Sequence, residues 1–483
     1  MREFVVFYIY NKWYYHNISE NKNGVVTNLV YNITFNSNDL YYCTQVSEFI
    51  KQYSEFSTSQ LPILIDIESY SKQFIQKSKP LENQDKWNLF KLLKERQLLP
   101  NGFQIAEDNI FEYIQKVSEF IQEITENTAF LEKERFENIE IPVNRIIYER
   151  QREGIAVDVE SAKERIEYLE ETVFNTKIKL QLDFKVFSPE KKEVQLNWLE
   201  RNGIGITGSI ERTFKNYSKL NKGCQLFYDL IRNQKDLDSF LDILARRGGN
   251  SRTFPSFHGF GTITSRITLR EPALQNIRRN NRRIIKPDEE CTFLYIDYSQ
   301  FEAGILASIS NDDKLCKLYD SDIYSDMISN IGGTIETRDD AKIEFYKFMY
   351  GASNLLPAVN RYFSKFKKLK AYKKKIEKEA TENKIIGTEM GNYRNVEGNI
   401  EISLSHVIQA TASLIFKKAI IKVNKEIPEA QFVLPMHDAA LYQVNNKYDF
   451  EEITNKVKAI FIHEFAEQCS GITPRVNDSE FYS

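Results

Sequence analysis

At 483 residues the chain is too long for one small core, so several subdomains are expected. Hydrophobic residues make up 42% and aromatic residues 13%, enough to build real cores, and no internal repeat or low-complexity linker stands out. A net charge of −3 carries no bulk signal for nucleic acid, so a DNA-binding surface has to come from local clusters. Five cysteines (Cys43, Cys224, Cys291, Cys316, Cys469) are scattered without a CxxC pair, which argues against a zinc site or a disulfide framework and fits a reducing compartment. The apolar start, Met1 to Tyr10, is short and lacks a small-residue cleavage site, so neither a signal peptide nor a membrane span is expected.

Residues 1 to about 60 read as strands, Phe4 to Tyr10, Trp13 to Ile18, Val25 to Phe35 and Tyr41 to Thr44, separated by Asn and Gly turns. Leu61 to Glu68 reads as a buried strand, and its Asp66-x-Glu68 pair is a hint of nuclease chemistry. Residues 85 to 130 read as helical, because apolar positions in Phe111 to Ile121 recur at helical spacing. From about residue 131 the character changes. A helix over Ile141 to Tyr148 enters a short strand over Gly154 to Asp158, and residues 160 to 245 are mostly helical with a polar interruption near Asn216 to Gly223.

Thr253 to Lys286 is loop-rich and basic: Arg266, Arg270, Arg278, Arg279, Arg282, Arg283 and Lys286 stand against one acid, Glu271. Cations among Thr, Ser, Asn and Gln suit phosphate and sugar contacts; the competing reading is a solvated surface loop. Next, a β-prone run from Thr292 to Ile296 ends at Asp297, and a helical pattern starts at Phe301. A buried strand there delivers one carboxylate to a sheet edge, where a hard cation such as Mg²⁺ takes oxygen ligands. Alone this is weak, since many strands end in an Asp that caps a helix. Gln431 to Val444 supplies a second carboxylate: two apolar runs flank Met436-His437-Asp438, a hairpin with Asp438 at its tip. Two aspartates from separate strands would hold two Mg²⁺ about 3.5–4 Å apart; the competing reading is an ordinary turn Asp.

Between these blocks, Thr337 is an N-cap candidate, and Arg338, Lys342, Tyr346 and Tyr350 recur every four residues along a helix. The cations can hold phosphates and the aromatics can stack on a base or sugar; the competing reading is a mixed exposed face. Phe363 to Lys378 carries eight lysines, read first as a solvated face and second as a template-backbone contact.

Taken together, these blocks resemble family A (Pol I-type) DNA polymerases over residues 131 to about 450. In the family's order come Gly261-Thr-Ile-Thr-Ser-Arg266 through Glu271-Pro-Ala-Leu-Gln-Asn-Ile277, then Asp297-Tyr-Ser-Gln-Phe-Glu302, then Arg338-x-x-x-Lys342 with Tyr346 and Tyr350-Gly351, and finally His437-Asp438. Gln409-Ala-Thr-Ala is similar to the family's Gln-bearing helix beside the primer–template groove, and the compact stretch Gly387 to Gln409 is closer to phage-type members.

The resemblance implies an α+β right-hand polymerase, with an antiparallel palm sheet, helical fingers and thumb, and a small N-terminal α/β domain. Residues 131–157, 245–310 and 400–483 would form the palm, 158–244 the thumb, 311–399 the fingers, and 1–130 an exonuclease-like remnant or partner-binding domain. It implies template-directed addition of dNTPs to a primer 3′-OH by two-metal phosphoryl transfer. Asp297 and Asp438, with the Tyr298 carbonyl, would hold two Mg²⁺, or Mn²⁺ in their place. Arg338 and Lys342 would hold the triphosphate, Lys342 also protonating pyrophosphate. Tyr350 would pack near the nascent pair, and Glu302 would block a ribose 2′-OH. Arg266, Gln275, Asn276, Gln409 and His437 would contact primer–template. Tyr346, where many members have Phe, implies ready use of dideoxynucleotides. Implied partners are primer–template DNA and dNTPs, with a helicase, clamp or separate exonuclease supplying further functions; the implied state is a monomer, off the membrane, in the cytoplasm of a bacterial or phage-infected cell.

This chain departs from the family pattern at Ala439 (usually Glu), Gly304 (Arg), Tyr324 (a fingers His, whose replacement hydroxyl would still donate to a phosphate) and Glu401 (Arg). An N-terminal exonuclease needs several metal-holding carboxylates. Asp66, Glu68 and Asp108 are the candidates, without a third Tyr-x-x-x-Asp element, so no proofreading is expected. The rival readings are a single-subunit RNA polymerase, opposed by Glu302, and a degenerate polymerase fold acting as a DNA-binding or regulatory module.

Overall fold

The computed structural model describes residues 2–27, 38–75, 88–206, 208–246, 251–333, 335–352, 355–436 and 438–482. The chain packs as two compact units. One joins Met1–Glu153, Ser256–Leu269 and Asp288–Phe481; the other joins Gly154–Pro255, Arg270–Pro287 and Tyr482–Ser483. Among the described residues no helix is long and apolar enough to cross a membrane.

The first unit begins with a five-stranded sheet in the order Lys22–Val26, Lys12–Asn17, Glu3–Ile9, Leu40–Cys43, Ile63–Asp66. The first three strands are antiparallel, and the last two run parallel to Glu3–Ile9. The strand expected from Val25 to Phe35 is placed earlier, at Lys22–Val26, and most of the expected stretch lies outside the described residues. Helix Ile110–Glu126 covers the sheet with Tyr113, Ile114, Val117, Phe120 and Ile121, the helical periodicity read from the sequence.

Helices Phe130–Arg135 and Ile141–Glu153 are joined by a π-helical turn, Phe136–Glu140. Glu140, the last residue of this turn, belongs to a buried charge network. Arg135 Nη2 donates to Glu132 Oε2 (2.6 Å), and Lys417 Nζ, from helix Ser403–Glu426, donates to Glu140 Oε2 (2.6 Å). Glu132 Oε1 also accepts the Tyr393 N–H (2.8 Å) of the hairpin Ile385–Thr388/Gly391–Asn395. Both cations sit over the Phe260 ring. Two carboxylates against two cations leave the network neutral, which makes its burial tolerable.

The sheet that positions the site has the order Ala430–Met436, Ala439–Asn445, Cys291–Tyr298, Val476–Ser479, antiparallel throughout. Helix Phe450–Gln468 backs it: the Tyr298 hydroxyl donates to the Phe461 carbonyl (3.1 Å), and the Tyr298 ring stacks on Phe301 at 4.1 Å. Helices Phe301–Ser310, Asp313–Asp320, Ile323–Ile331, Arg338–Met349, Pro357–Ser364 and Lys367–Asn383 follow in chain order from the Cys291–Tyr298 strand. The Arg338 helix starts as its sequence predicts. Thr337 accepts from the Asp340 N–H while Asp340 accepts from the Thr337 N–H, a full capping box.

The second unit contains helices Val159–Phe184, Lys192–Arg201, Ile210–Tyr217 and Lys222–Ala245 around Trp198, Phe214, Phe227 and Leu230. The predicted polar interruption is the turn before Asn221, whose side chain caps the last helix. In the basic segment, Arg278 pairs with buried Asp236 (3.0 Å), which also accepts from Asn281 (2.9 Å), and Lys286 pairs with Asp158 (3.3 Å). These two cations therefore hold the segment to its own unit, whereas Arg270, Arg279 and Arg283 are exposed.

Candidate active site

Strand Cys291–Tyr298 brings Asp297 to its end, and the register sets Ala439 opposite it on one side and Asn477 on the other. Met436 pairs with Ala439 across the neighbouring hairpin, and Ala439 pairs with Asp297, so Asp438 lies next to the Asp297 strand end. His437 lies outside the described residues.

Arg266 ties Asp438 to the helix behind. Its Nη2 donates to Glu302 Oε1 (2.5 Å) and lies 3.7 Å from Asp438 Oδ1. Glu302 is 2% exposed, and its other oxygen is buried without a hydrogen-bond partner. Burial is the main reason its carboxyl is raised to about 7; Asp438 adds to the rise, while Arg266 and Lys342 oppose it. The folded carboxyl thus keeps its proton between the ordinary 4.5 and about 7, and stability falls as pH rises through that window. Glu302→Gln should therefore stabilise the fold by about 3 kcal/mol at pH 8.5 and by little at pH 4.5. Denaturant unfolding at the two pH values checks this; an equal effect at both would contradict it.

The cation–aromatic stripe is one connected surface. Arg338 is exposed, its Nε 3.2 Å from Asp322 Oδ2 and its guanidinium over the Tyr324 ring at 4.8 Å. Lys342 Nζ lies 5.9 Å from the Tyr346 ring centre, the Tyr346 and Tyr350 rings are 5.7 Å apart, and the Tyr350 hydroxyl accepts from Gln409 Nε2 (2.8 Å). Burial pushes the Tyr350 phenol up to about 12, so it stays protonated at neutral pH. Gly351, next along, has φ +69° and lies against the Glu401 backbone, where a Cβ would meet the carbonyl oxygen at 2.6 Å. Only glycine fits there.

The departures acquire physical explanations. Tyr324 is buried and edge-on to Phe345, with the Arg338 guanidinium over its ring. This packing sets the Tyr324 ring against the Arg338 helix. At Gly304 a Cβ would lie 2.7 Å from Tyr319 and 3.0 Å from Phe465, so the helix packing leaves no room for an arginine. Ala439 is buried directly opposite Asp297 and offers no carboxylate.

Gln275 and Asn276 lie in the other compact unit, in a short 3-10 turn, Leu274–Asn276. Asp322 went unread in the sequence, although its place before Ile323 is an N-cap signal. Asp66, the nuclease hint, also caps a helix: it accepts from the Glu68 and Ser69 N–H groups and the Ser69 hydroxyl, and lies 3.6 Å from His258 Nδ1. Glu68 belongs to that helix's first turn and Asp108 is exposed.

As donors for a metal, Asp297, Asp438 and the Tyr298 carbonyl are all oxygen, the chemistry a hard divalent cation prefers. Among the described residues no group of three or more His, Cys, Asp or Glu side chains forms a cation cage, so this donor set would need water or substrate oxygens to complete it.

Comparison with known proteins gives the family and the fold. The sequence model of DNA polymerase family A matches residues 145–470. DNA polymerase I of Caldicellulosiruptor bescii is 26% identical over 380 residues, covering 67% of this chain and 44% of the relative. DNA polymerase I of Borreliella burgdorferi is 27% identical over 369 residues, covering 63% and 39%. The chain thus spans less than half the length of these two relatives. In fold it is similar to the POL domain of Pol1 from M. smegmatis, solved in complex with DNA primer-template and dNTP: TM-score 0.76, 15% identity, 99% of this chain and 94% of that one. With the family's sequence model matched over two thirds of its length, the chain belongs to DNA polymerase family A.

Proposed function

We propose that the chain is a template-directed DNA polymerase. The observation that carries this reading is the continuous stripe Arg338–Lys342–Tyr346–Tyr350–Gln409 in the same unit as the strand end bearing Asp297 and the turn bearing Asp438. Its ligands are primer–template DNA and dNTPs, as in the complex of the fold neighbour. Residues 131–157, 245–310 and 400–483 serve as palm, 158–244 as thumb and 311–399 as fingers, with 1–130 a structural or partner-binding domain.

Asp297, Asp438 and the Tyr298 carbonyl hold two Mg²⁺, or Mn²⁺ in their place. When bound, such ions favour ionisation of the primer hydroxyl and offset charge on the phosphates. Arg338 and Lys342 orient the triphosphate so that the primer 3′ oxygen faces the α-phosphorus; a P–O bond forms there as the hydroxyl proton passes to solvent and the bond to pyrophosphate breaks, and Lys342 gives the leaving group a proton that it regains from water. Glu302, buried and held by Arg266, walls off the 2′ position. Tyr350 packs on the nascent pair. Arg266, Gln275, Asn276, Gln409 and His437 contact primer–template. A helicase, clamp or separate exonuclease completes the working machine, and the chain acts as a monomer in the cytoplasm.

A primer ending in a dideoxynucleotide tests the substrate reading without catalysis: the dNTP complementary to the next template base should tighten the complex, and an equal response to all four dNTPs would contradict it. Tyr346 places a phenol in the stripe, between Lys342 and Tyr350. Competition of ddNTP with dNTP should show little discrimination, and Tyr346→Phe should restore it; strong discrimination by the unaltered chain would refute the assignment. The taken-up oxygens of Asp66 favour a structural N-terminal domain. Release of dNMP from a single-stranded primer, lost in Asp66→Ala, would overturn that.

A further inference from the structure

Arg266 follows a turn in an uncommon conformation. Ser265, just before it, has φ +58°, the left-handed region that only glycine visits freely. The turn closes on itself. The Ser265 N–H donates to the Thr262 carbonyl (3.0 Å), the Arg266 N–H to Thr262 Oγ1 (3.1 Å), and the Gly261 N–H to the Arg266 carbonyl (3.0 Å). These bonds fix Arg266 against Gly261 and Thr262, but a serine at positive φ needs a further hold.

Ser413 supplies it. This residue lies in helix Ser403–Glu426, 148 positions from Ser265, and both serines are buried. A serine inside a helix usually turns its hydroxyl to solvent or to the carbonyl four residues back. Ser413 instead donates to the Ser265 carbonyl (2.7 Å). A carbonyl only accepts, so the one hydroxyl hydrogen of Ser413 is spent there, and the Ser265 hydroxyl donates in return to Ser413 Oγ (3.0 Å). Two hydrogen bonds therefore clasp the turn to the helix, and breaking either strands a buried polar group.

The clasp sits beside the site. Arg266, Ser413 and Asp438 border one small cavity. One residue on from Ser265, Arg266 Nη2 reaches Glu302 Oε1 (2.5 Å) and lies 3.7 Å from Asp438 Oδ1. Relaxing Ser265 to negative φ would redirect the chain after it and swing Arg266 off both carboxylates. One turn before Ser413 on the same helix, Gln409 donates to the Tyr350 hydroxyl (2.8 Å), so one helix registers the arginine and the stripe together. We propose that Ser413 is a positioning residue for DNA synthesis: by clasping Ser265 it holds the turn that aims Arg266 at Glu302 and Asp438. This rests on the polymerase reading above, in which Arg266 meets primer–template.

The test is primer extension and equilibrium primer–template binding by the full chain, with Ser413→Ala, Arg266→Ala, those two combined, and Ser413→Ala/Ser265→Gly. Ser413→Ala should weaken primer–template binding and raise its KM by about tenfold, the upper end of what one hydrogen bond is worth, while KM for dNTP holds. It should add nothing to Arg266→Ala, because it acts through that side chain. Adding Ser265→Gly should restore most of the loss, since glycine adopts φ +58° unheld. A Ser413 that served folding alone would lower the active fraction and leave the KM for DNA unchanged. That result, additive losses with Arg266→Ala, or no rescue by glycine would each overturn the proposal. Should Ser413→Ala fail to fold, the glycine double variant takes its place: affinity near that of the unaltered chain is expected, and affinity as low as that of Arg266→Ala would overturn the proposal. Failure of the unaltered chain to bind or extend a primer–template would instead sink the polymerase reading, and this proposal with it.

Discussion

Lys417→Met is expected to destabilise the fold by about 3–5 kcal/mol, the range for removing one partner of a buried ion pair. Lys417 is 1% exposed, and its ammonium meets Glu140 Oε2 at 2.6 Å from helix Ser403–Glu426. Burial pulls the Lys417 ammonium down to about 8 despite Glu140, so the environment disfavours its charge and the pair is held by mutual compensation. Without Lys417, Glu140 keeps only Arg135 at 3.7 Å, and Arg135 is already committed to Glu132 at 2.6 Å. The double variant Lys417→Met/Glu140→Leu should recover much of the loss, since an apolar pair of similar volume needs no compensation. Urea unfolding of the three proteins checks this; a Lys417→Met loss below about 1 kcal/mol, the scale of a surface pair, would contradict it.

Lys342→Ala is expected to cut dNTP incorporation by about 10²–10⁴-fold, the usual worth of a positioned proton donor, and to raise the KM for dNTP. Lys342 is exposed on a well-capped helix, its ammonium 5.9 Å from the Tyr346 ring centre, so thermal stability should hardly move. Lys342→Arg separates the two roles. It keeps the charge that holds the triphosphate but is too weak an acid to release its proton readily. KM should recover while kcat stays low. Recovery of both would leave Lys342 a charge clamp alone; no loss in either variant would remove it from the site.

What the sequence made legible was what short-range chemistry encodes. The Thr292 to Ile296 run, the two apolar runs around Asp438 and the four-residue recurrence after Thr337 each produced the strand, hairpin or helix expected of them. Long-range pairings stayed hidden. Glu140 and Lys417 are 277 positions apart, and neither local pattern asks for an ion partner. The basic segment looked uniform from Arg266 to Lys286, yet Arg278 and Lys286 are taken up by Asp236 and Asp158, which only tertiary packing reveals. Gly304 and Tyr324 looked like lost contacts. One is a position closed by Tyr319 and Phe465, the other a buried ring packed edge-on to Phe345. Asn477 became relevant only when the strand register set it beside Asp297.

The central claim, that Asp297 and its surroundings direct template-dependent DNA synthesis, is tested most directly by extending a labelled DNA primer on a DNA template with Mg²⁺, using dNTPs or NTPs, with the unaltered chain and Asp297→Ala side by side. Extension with dNTPs alone, lost in Asp297→Ala by about 10³-fold or more for several kcal/mol of metal-assisted stabilisation, is the predicted result. Equal extension by Asp297→Ala, or none by an unaltered chain that binds the primer–template, would contradict it.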